Sequence, residues 1–269
     1  MKTKLITLSV CLLTLFCVQA QEFKGIATYE SKMTLPESKD KEDMPKLGDE
    51  MEKMLEEAMK NALQNTYTLT FDKSSSIFVE EEKLEAANPM VSIKIERDGE
   101  GILYKNVKEN KLLVETTFYD KEFLISDSLR KFKWKLEPET KKIGNYTCYK
   151  ATAVIKPSKR DKEDENIKLT GAITRDTKIT AWYAPEIAVS QGPANFWGLP
   201  GLILEANDGV STYLCSKIVL NPKEKTEIKI PKKGKKITAS EFEKLALRKA
   251  KEFEDANGGS NVQTIMIGG

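Results

Sequence analysis

Between Tyr67 and Ile155 apolar and polar residues alternate, and turn-forming residues interrupt the alternation every few positions. Tyr67-Thr68-Leu69-Thr70-Phe71 gives way to Asp72-Lys73-Ser74-Ser75 and then to Ile77-Phe78-Val79. Val91-Ser92-Ile93-Lys94-Ile95 turns at Asp98-Gly99-Glu100-Gly101 into Ile102-Leu103-Tyr104. The run 112–118 and the triplet Phe123-Leu124-Ile125 continue the series. A period of two puts one face of each segment in a core, and short connections join neighbours antiparallel. This pattern predicts a mainly β (α+β) fold, an antiparallel curved sheet or half-barrel meander, rather than a parallel α/β sheet.

Further strands follow from the same alternation. Phe23-Lys24-Gly25-Ile26-Ala27-Thr28-Tyr29-Glu30 begins the sheet. Phe132-Lys133-Trp134-Lys135-Leu136, 146–155, 177–184 and 202–206 continue it, and Asn207-Asp208-Gly209 turns the chain into 212–219. Two segments have a helical period instead. Leu47, Met51, Met54, Leu55, Ala58, Met59, Ala62 and Leu63 recur at three and four residues, which predicts one long amphipathic helix over 44–65, after the first strand. Ser240 with Glu243 forms the pattern of a capping box for a C-terminal helix carrying Phe242, Leu245, Ala246 and Phe253.

The ends bound the domain. Lys2 and Lys4 precede an apolar run from Leu5 to Cys17, and Val18-Gln19-Ala20 supplies small residues at processing positions, so 1–20 read as a cleavable signal with cleavage after Ala20. Phe16 before Cys17 argues against lipidation. We expect a periplasmic or secreted chain with no transmembrane segment after cleavage, one β-rich domain over 21–257, a polar loop at 157–168 and a Gly-rich tail at 258–269. Acidic and basic residues number 41 and 43, a balance that gives nucleic acid no electrostatic footing as a partner.

The sequence contains no histidine. Ser–His and Cys–His nucleophile systems and His-ligated metal centres are therefore excluded in their ordinary forms, and we expect a non-enzymatic protein with no cofactor and no metal. The methionines at 44, 51, 54 and 59 suit a packed helix face at least as well as Cu(I) ligation. Glu186, Glu205 and Asp208 are the carboxylates available to an alternative, carboxylate-dependent envelope hydrolase, and Ser190 has no nucleophile-elbow pattern around it. Cys148 and Cys215 are the pair left after the signal, either a disulfide or two buried thiols. Lys232-Lys233-Gly234-Lys235-Lys236 reads as a solvated turn or a contact for anionic headgroups.

The densest apolar stretch is Gly192-Pro193-Ala194-Asn195-Phe196-Trp197-Gly198-Leu199-Pro200-Gly201-Leu202-Ile203-Leu204-Glu205. Pro200 and Gly201 at the centre of a four-residue turn match the type II preference, which predicts a positive φ at Gly201, with Leu199 and Leu202 flanking the turn and Ile203 and Leu204 in the core. The aromatics Trp182, Tyr183, Phe196 and Trp197 either pack the core or form a ligand or partner surface next to that turn.

Gly198-Leu199-Pro200-Gly201-Leu202-Ile203 resembles the signature of the GLPGLI family of exported Bacteroidetes proteins, a Porphyromonas gingivalis-type family. Two other blocks carry the resemblance, 131–151 with its Trp134 and Tyr146-Thr147-Cys148-Tyr149, and Ile179-Thr180-Ala181-Trp182-Tyr183-Ala184-Pro185-Glu186-Ile187. The family has no established biochemical activity. The resemblance implies an envelope accessory protein working alongside a TonB-dependent outer-membrane transporter or an apolar ligand, with a structural subunit as a further alternative. Asp127-Ser128-Leu129 is similar to the short O-glycosylation motif of such exported proteins, with Ser128 as acceptor.

Overall fold

The computed structural model describes residues 23–34, 48–82, 101–156, 176–224 and 226–256. The signal at 1–20, Met44, the expected strand at 91–95, the polar loop at 157–168 and the tail at 258–269 lie outside them. The strands are β1 (Lys24–Met33), β2 (Gln64–Asp72), β3 (Ser75–Glu80), β4 (Ile102–Asn106), β5 (Lys111–Phe118) and β6 (Lys121–Ser128). They continue with β7 (Lys135–Ile143), β8 (Tyr146–Ile155), β9 (Thr177–Ala184), β10 (Leu202–Asn207), β11 (Ser211–Leu220) and β12 (Lys235–Ile237). Two helices, α1 (Asp49–Leu63) and α2 (Ala239–Ala256), complete the described elements.

All twelve strands form one open sheet in the order β12-β6-β5-β4-β3-β2-β1-β11-β10-β9-β8-β7. Two consecutive meanders, β2 to β6 and β7 to β11, are joined through β1, which pairs with β2 on one side and β11 on the other. The sheet is antiparallel except where β12 runs parallel to β6. That exception follows from the connection: after β11 the chain crosses to the far edge and enters β12 without a hairpin.

The sheet is curved. The ends of β4 and β10 are five strand steps apart, roughly 24 Å across a flat sheet at about 4.8 Å per step. Yet Lys105 on β4 bonds to the segment that leads into β10, and Tyr29 on β1 donates across β11 to the Ile203 carbonyl at 2.7 Å. The sheet therefore wraps around the segment 185–201. Apolar residues on both sides of the seam pack together, one cluster including Tyr29, Phe71, Phe78, Ile187 and Leu204. A second includes Ile179, Tyr183, Phe196, Leu199 and Ile203. Tyr213 and Ala194 touch both.

The helices differ from expectation at their ends. α1 begins at Asp49, after Gly48, and ends at Leu63 because Gln64 already has extended backbone and opens β2. Its apolar face, with Met51, Met54 and Met59, is half-buried. α2 is capped two residues earlier than Ser240: Thr238 Oγ1 accepts from the Glu241 amide at 3.2 Å, while Glu241 Oε2 accepts from the Thr238 amide at 2.9 Å. The sequence contains two overlapping Ser/Thr-x-x-Glu patterns, and the first forms the reciprocal cap. Phe242 of this helix packs edge-on against Phe118 and Phe123. No helix among the described residues is long and apolar enough to cross a membrane.

Candidate functional site: the signature segment and an exposed cross-strand row

The signature turn differs from a type II turn. Gly198, not Gly201, has the positive φ, at 94°. Gly201 is required for another reason: a Cβ there would lie 2.4 Å from the Ala184 carbonyl oxygen and 2.6 Å from its carbon. Its backbone passes against the end of β9, and no side chain fits between. Ile203 and Leu204 are buried as the sequence predicts, and the flanking Leu199 and Leu202 are buried with them. Backbone bonds then tie the preceding segment to the turn, from the Gly198 amide to Ser190 O at 3.2 Å, Leu202 to Ile187 O at 2.9 Å and Ile203 to Gln191 O at 3.0 Å.

The principal anchor of this segment is a residue the sequence did not single out. Lys105 is 0% exposed, and its Nζ donates to the carbonyls of Gly192 and Ala194, both at 2.6 Å, and of Phe196 at 3.1 Å. Three N–H groups thus meet three acceptors, which satisfies the ammonium in an apolar interior. Burial pushes the amine down from its ordinary 10.5 to about 7, and the three carbonyls oppose that shift by favouring the charged form. Nearby, Ser76 Oγ donates to Gln191 Oε1 at 2.9 Å. Gln191 Nε2 and Asn195 Oδ1, both shielded from solvent, have no hydrogen-bond partner among the described residues. The signal for Lys105 is present in the alternation: it stands two residues after Leu103, on the same face of β4.

The four candidate aromatics do not form one surface. Tyr183 and Phe196 are buried in the second apolar cluster, with Phe132 and Trp134 packed against them. Trp197 is a clasp: its Nε1 donates to Arg130 O at 2.7 Å, while its own carbonyl accepts from Trp134 Nε1 at 2.9 Å. These bonds hold 130–134 as an irregular segment against the signature, so β7 starts at Lys135 rather than at Phe132. Trp182, like Trp197, is half-buried, and it packs against the first apolar cluster. It lies in a cross-strand row made by Lys150, Trp182, Glu205, Leu214, Glu30 and Thr66, each register partner of the next. Lys141 Nζ sits 4.4 Å above the Trp182 ring and 2.7 Å from Glu205 Oε2, and Lys150 pairs with Glu139 at 3.1 Å. Leu214 is 43% exposed within this row of charged groups.

The remaining sequence candidates are dispersed. Glu205 is paired with Lys141, Asp208 Oδ1 accepts from the Val210 and Ser211 amides in the β10–β11 turn, and Glu186 accepts from the Thr147 amide at 3.3 Å. Each carboxylate is thus committed to a structural bond, and none of these bonds joins it to another. Cys148 and Cys215 are free thiols, not a disulfide. Both are buried in the first cluster, and burial, the largest cause, pushes them up to about 11 and about 12, so they stay protonated and unreactive. Within the basic cluster, Lys233 pairs with Glu122 at 3.4 Å and donates its amide to Glu115, while Lys235 and Lys236 lie on β12. Ser128 is exposed at the end of β6, where its amide donates to Asp127 Oδ1 at 2.7 Å.

Residues 134–205, which hold β7 to β9, the first four residues of β10 and the whole signature, match the family model described as "Protein of unknown function (Porph_ging)". The Porphyromonas gingivalis-type recognition stands on this segment. The Porph_ging match begins at Trp134, the indole that bonds to the Trp197 carbonyl, and ends at Glu205 of the exposed row. No curated protein matches the chain. Among solved structures, PNGF-II in the C2 space group is similar with a TM-score of 0.49 and 15% identity, over 85% of this chain and 33% of that one. PNGF-II in the P21 space group gives 0.49 and 16%, over 82% and 32%. The chain spans about a third of the length of PNGF-II.

Proposed function

We propose that this chain is an exported envelope accessory protein that acts by binding a protein partner rather than by catalysis, and that the partner meets the row centred on Trp182 and Leu214. The observation that carries the reading is the pairing of an exposed leucine and a half-buried tryptophan with fixed charges on one cross-strand line. An apolar centre with charged groups around it is the anatomy of a transient protein interface. The interior offers less support for carriage of an apolar ligand, because residues of the chain's own segment 185–201, Ile187, Val189, Phe196 and Leu199 among them, pack into the space the sheet curves around. A carboxylate hydrolase would need two acids facing one cleft, and Glu186, Glu205 and Asp208 are each engaged elsewhere. A TonB-dependent outer-membrane transporter is the partner that the family resemblance implies.

The test is a mild-detergent pull-down from native envelopes with the wild type and with Trp182→Ala and Leu214→Glu. We expect a transporter component to be retained by the wild type and lost with Leu214→Glu at unchanged melting temperature. Equal recovery by both variants, or recovery of the bait alone by the wild type, would refute the reading.

A further inference from the structure

Lys105 and its acceptors belong to different parts of the chain, the amine to β4 and all three carbonyls to the stretch 192–196. Alternate residues of that stretch, Gly192, Ala194 and Phe196, aim their carbonyl oxygens at one point. Several features permit this. Gly192 has no room for a side chain, since a Cβ would lie 2.9 Å from both Ile203 and the Phe196 oxygen, and Ala194 takes a left-handed φ of 42°. The Phe196 amide closes a turn onto Pro193 O at 3.0 Å. The loop is thus shaped around a cation, and the chain supplies that cation from a distant strand. Three acceptors match the three N–H groups of a primary ammonium, whereas Ca2+ or Mg2+, the cations that take oxygen ligands alone, ask for six or more.

We propose that the 192–196 backbone is a receptor for a primary ammonium, filled internally by Lys105, which will take a free alkylammonium once the tethered one is removed. Its selectivity is set by hydrogen-bond count. A quaternary ammonium has no N–H to offer, and the planar guanidinium of arginine presents five donors in a fork that three converging carbonyls do not match. All three acceptors of the Lys105 ammonium are backbone carbonyls, so backbone dipoles provide the recognition.

The experiment removes the tether with Lys105→Ala, which deletes the equivalent of n-propylammonium, and reads melting temperature at about pH 6, below the value near 7 to which burial pushes the amine. The variant is expected to melt about 5 °C or more below the wild type, because three buried carbonyls lose their donors. n-Propylammonium chloride should recover much of that loss in a saturable manner, while tetramethylammonium chloride and sodium chloride at the same ionic strength should not. Lys105→Met, whose side chain fills the space of the lysine stem without a donor, should be destabilised and stay unrescued. Failure of n-propylammonium to rescue, or equal rescue by tetramethylammonium, would overturn the proposal. Should Lys105→Ala not fold alone, its refolding yield from urea with and without n-propylammonium provides the same comparison. In the wild type, the Lys105 ammonium should show slow side-chain hydrogen exchange by 15N NMR, and exchange as fast as that of surface lysines would also overturn it.

Discussion

Gly201 and Gly198 stand three residues apart, and each is required for a different physical reason. At Gly201 a methyl group would strike backbone atoms of Ala184 that cannot yield without moving β9. Gly201→Ala should therefore cost about 3 kcal/mol, measured by urea denaturation. At Gly198 the nearest atom to an added Cβ is Trp134 Nε1 at 3.6 Å, so only the left-handed φ is penalised. Gly198→Ala should cost less, about 1–2 kcal/mol. A larger loss at Gly198 would show that the order is wrong. The Pro-Gly pair is legible in the sequence as a turn, but a close approach between chain segments has no local signature, and the positive φ falls at Gly198 rather than at Gly201. The thiols show the same limit. Cys148 and Cys215 alternate inward on their strands as the pattern predicts, yet whether they bond depends on geometry across four strands. We expect both to be alkylated without reductant only after unfolding, as read by intact mass. A mass two hydrogens lower in the native protein, with no alkylation in denaturant, would contradict this.

Elements were the most legible level. Strands such as β1 and β9 bury alternate residues, and the period of two survives because short-range alternation alone decides which face meets the core. Helix ends depended on competition between neighbours. Thr238 and Ser240 both head a pattern with glutamate three residues on, and Thr238 stands directly before the helix start at Ala239, where it makes reciprocal bonds with Glu241. Thr238→Ala should lower stability by about 1 kcal/mol in thermal melts, more than Ser240→Ala. The reverse order would place the cap at Ser240. The β7 strand illustrates another element-scale effect. Its alternation is obscured by Glu137-Pro138-Glu139, where the register to β8 breaks between Leu136 and Thr140. Proline and charges at that position suit the outermost strand, since a missing amide and paired carboxylates discourage further strand addition.

At the scale of the molecule, closure of the sheet around segment 185–201 couples stability to pH through Lys105. Its folded value of about 7 lies below the unfolded value near 10.4. Between the two, the unfolded chain binds the proton that the folded chain has released, so stability rises with pH across that window. The urea midpoint should be higher at about pH 7.5 than at about pH 6, a range below the value near 8.5 at which unfolded-state thiols ionise. Lys105→Met should flatten this difference, and an unchanged slope in that variant would assign the effect to other groups. None of this closure was readable from spacing, because the bonds join residues about ninety apart in the chain. The position of β1 has a consequence for assembly in time. Gly25 pairs with Leu220, so the strand made first waits beside β2 until almost the last strand arrives. The centre of the sheet is completed late, and folding that depends on so distant a pairing is slow. A growing or threading chain would hold β2 to β6 as a ready half, with the seam still unsealed, until residues 211–220 reach it.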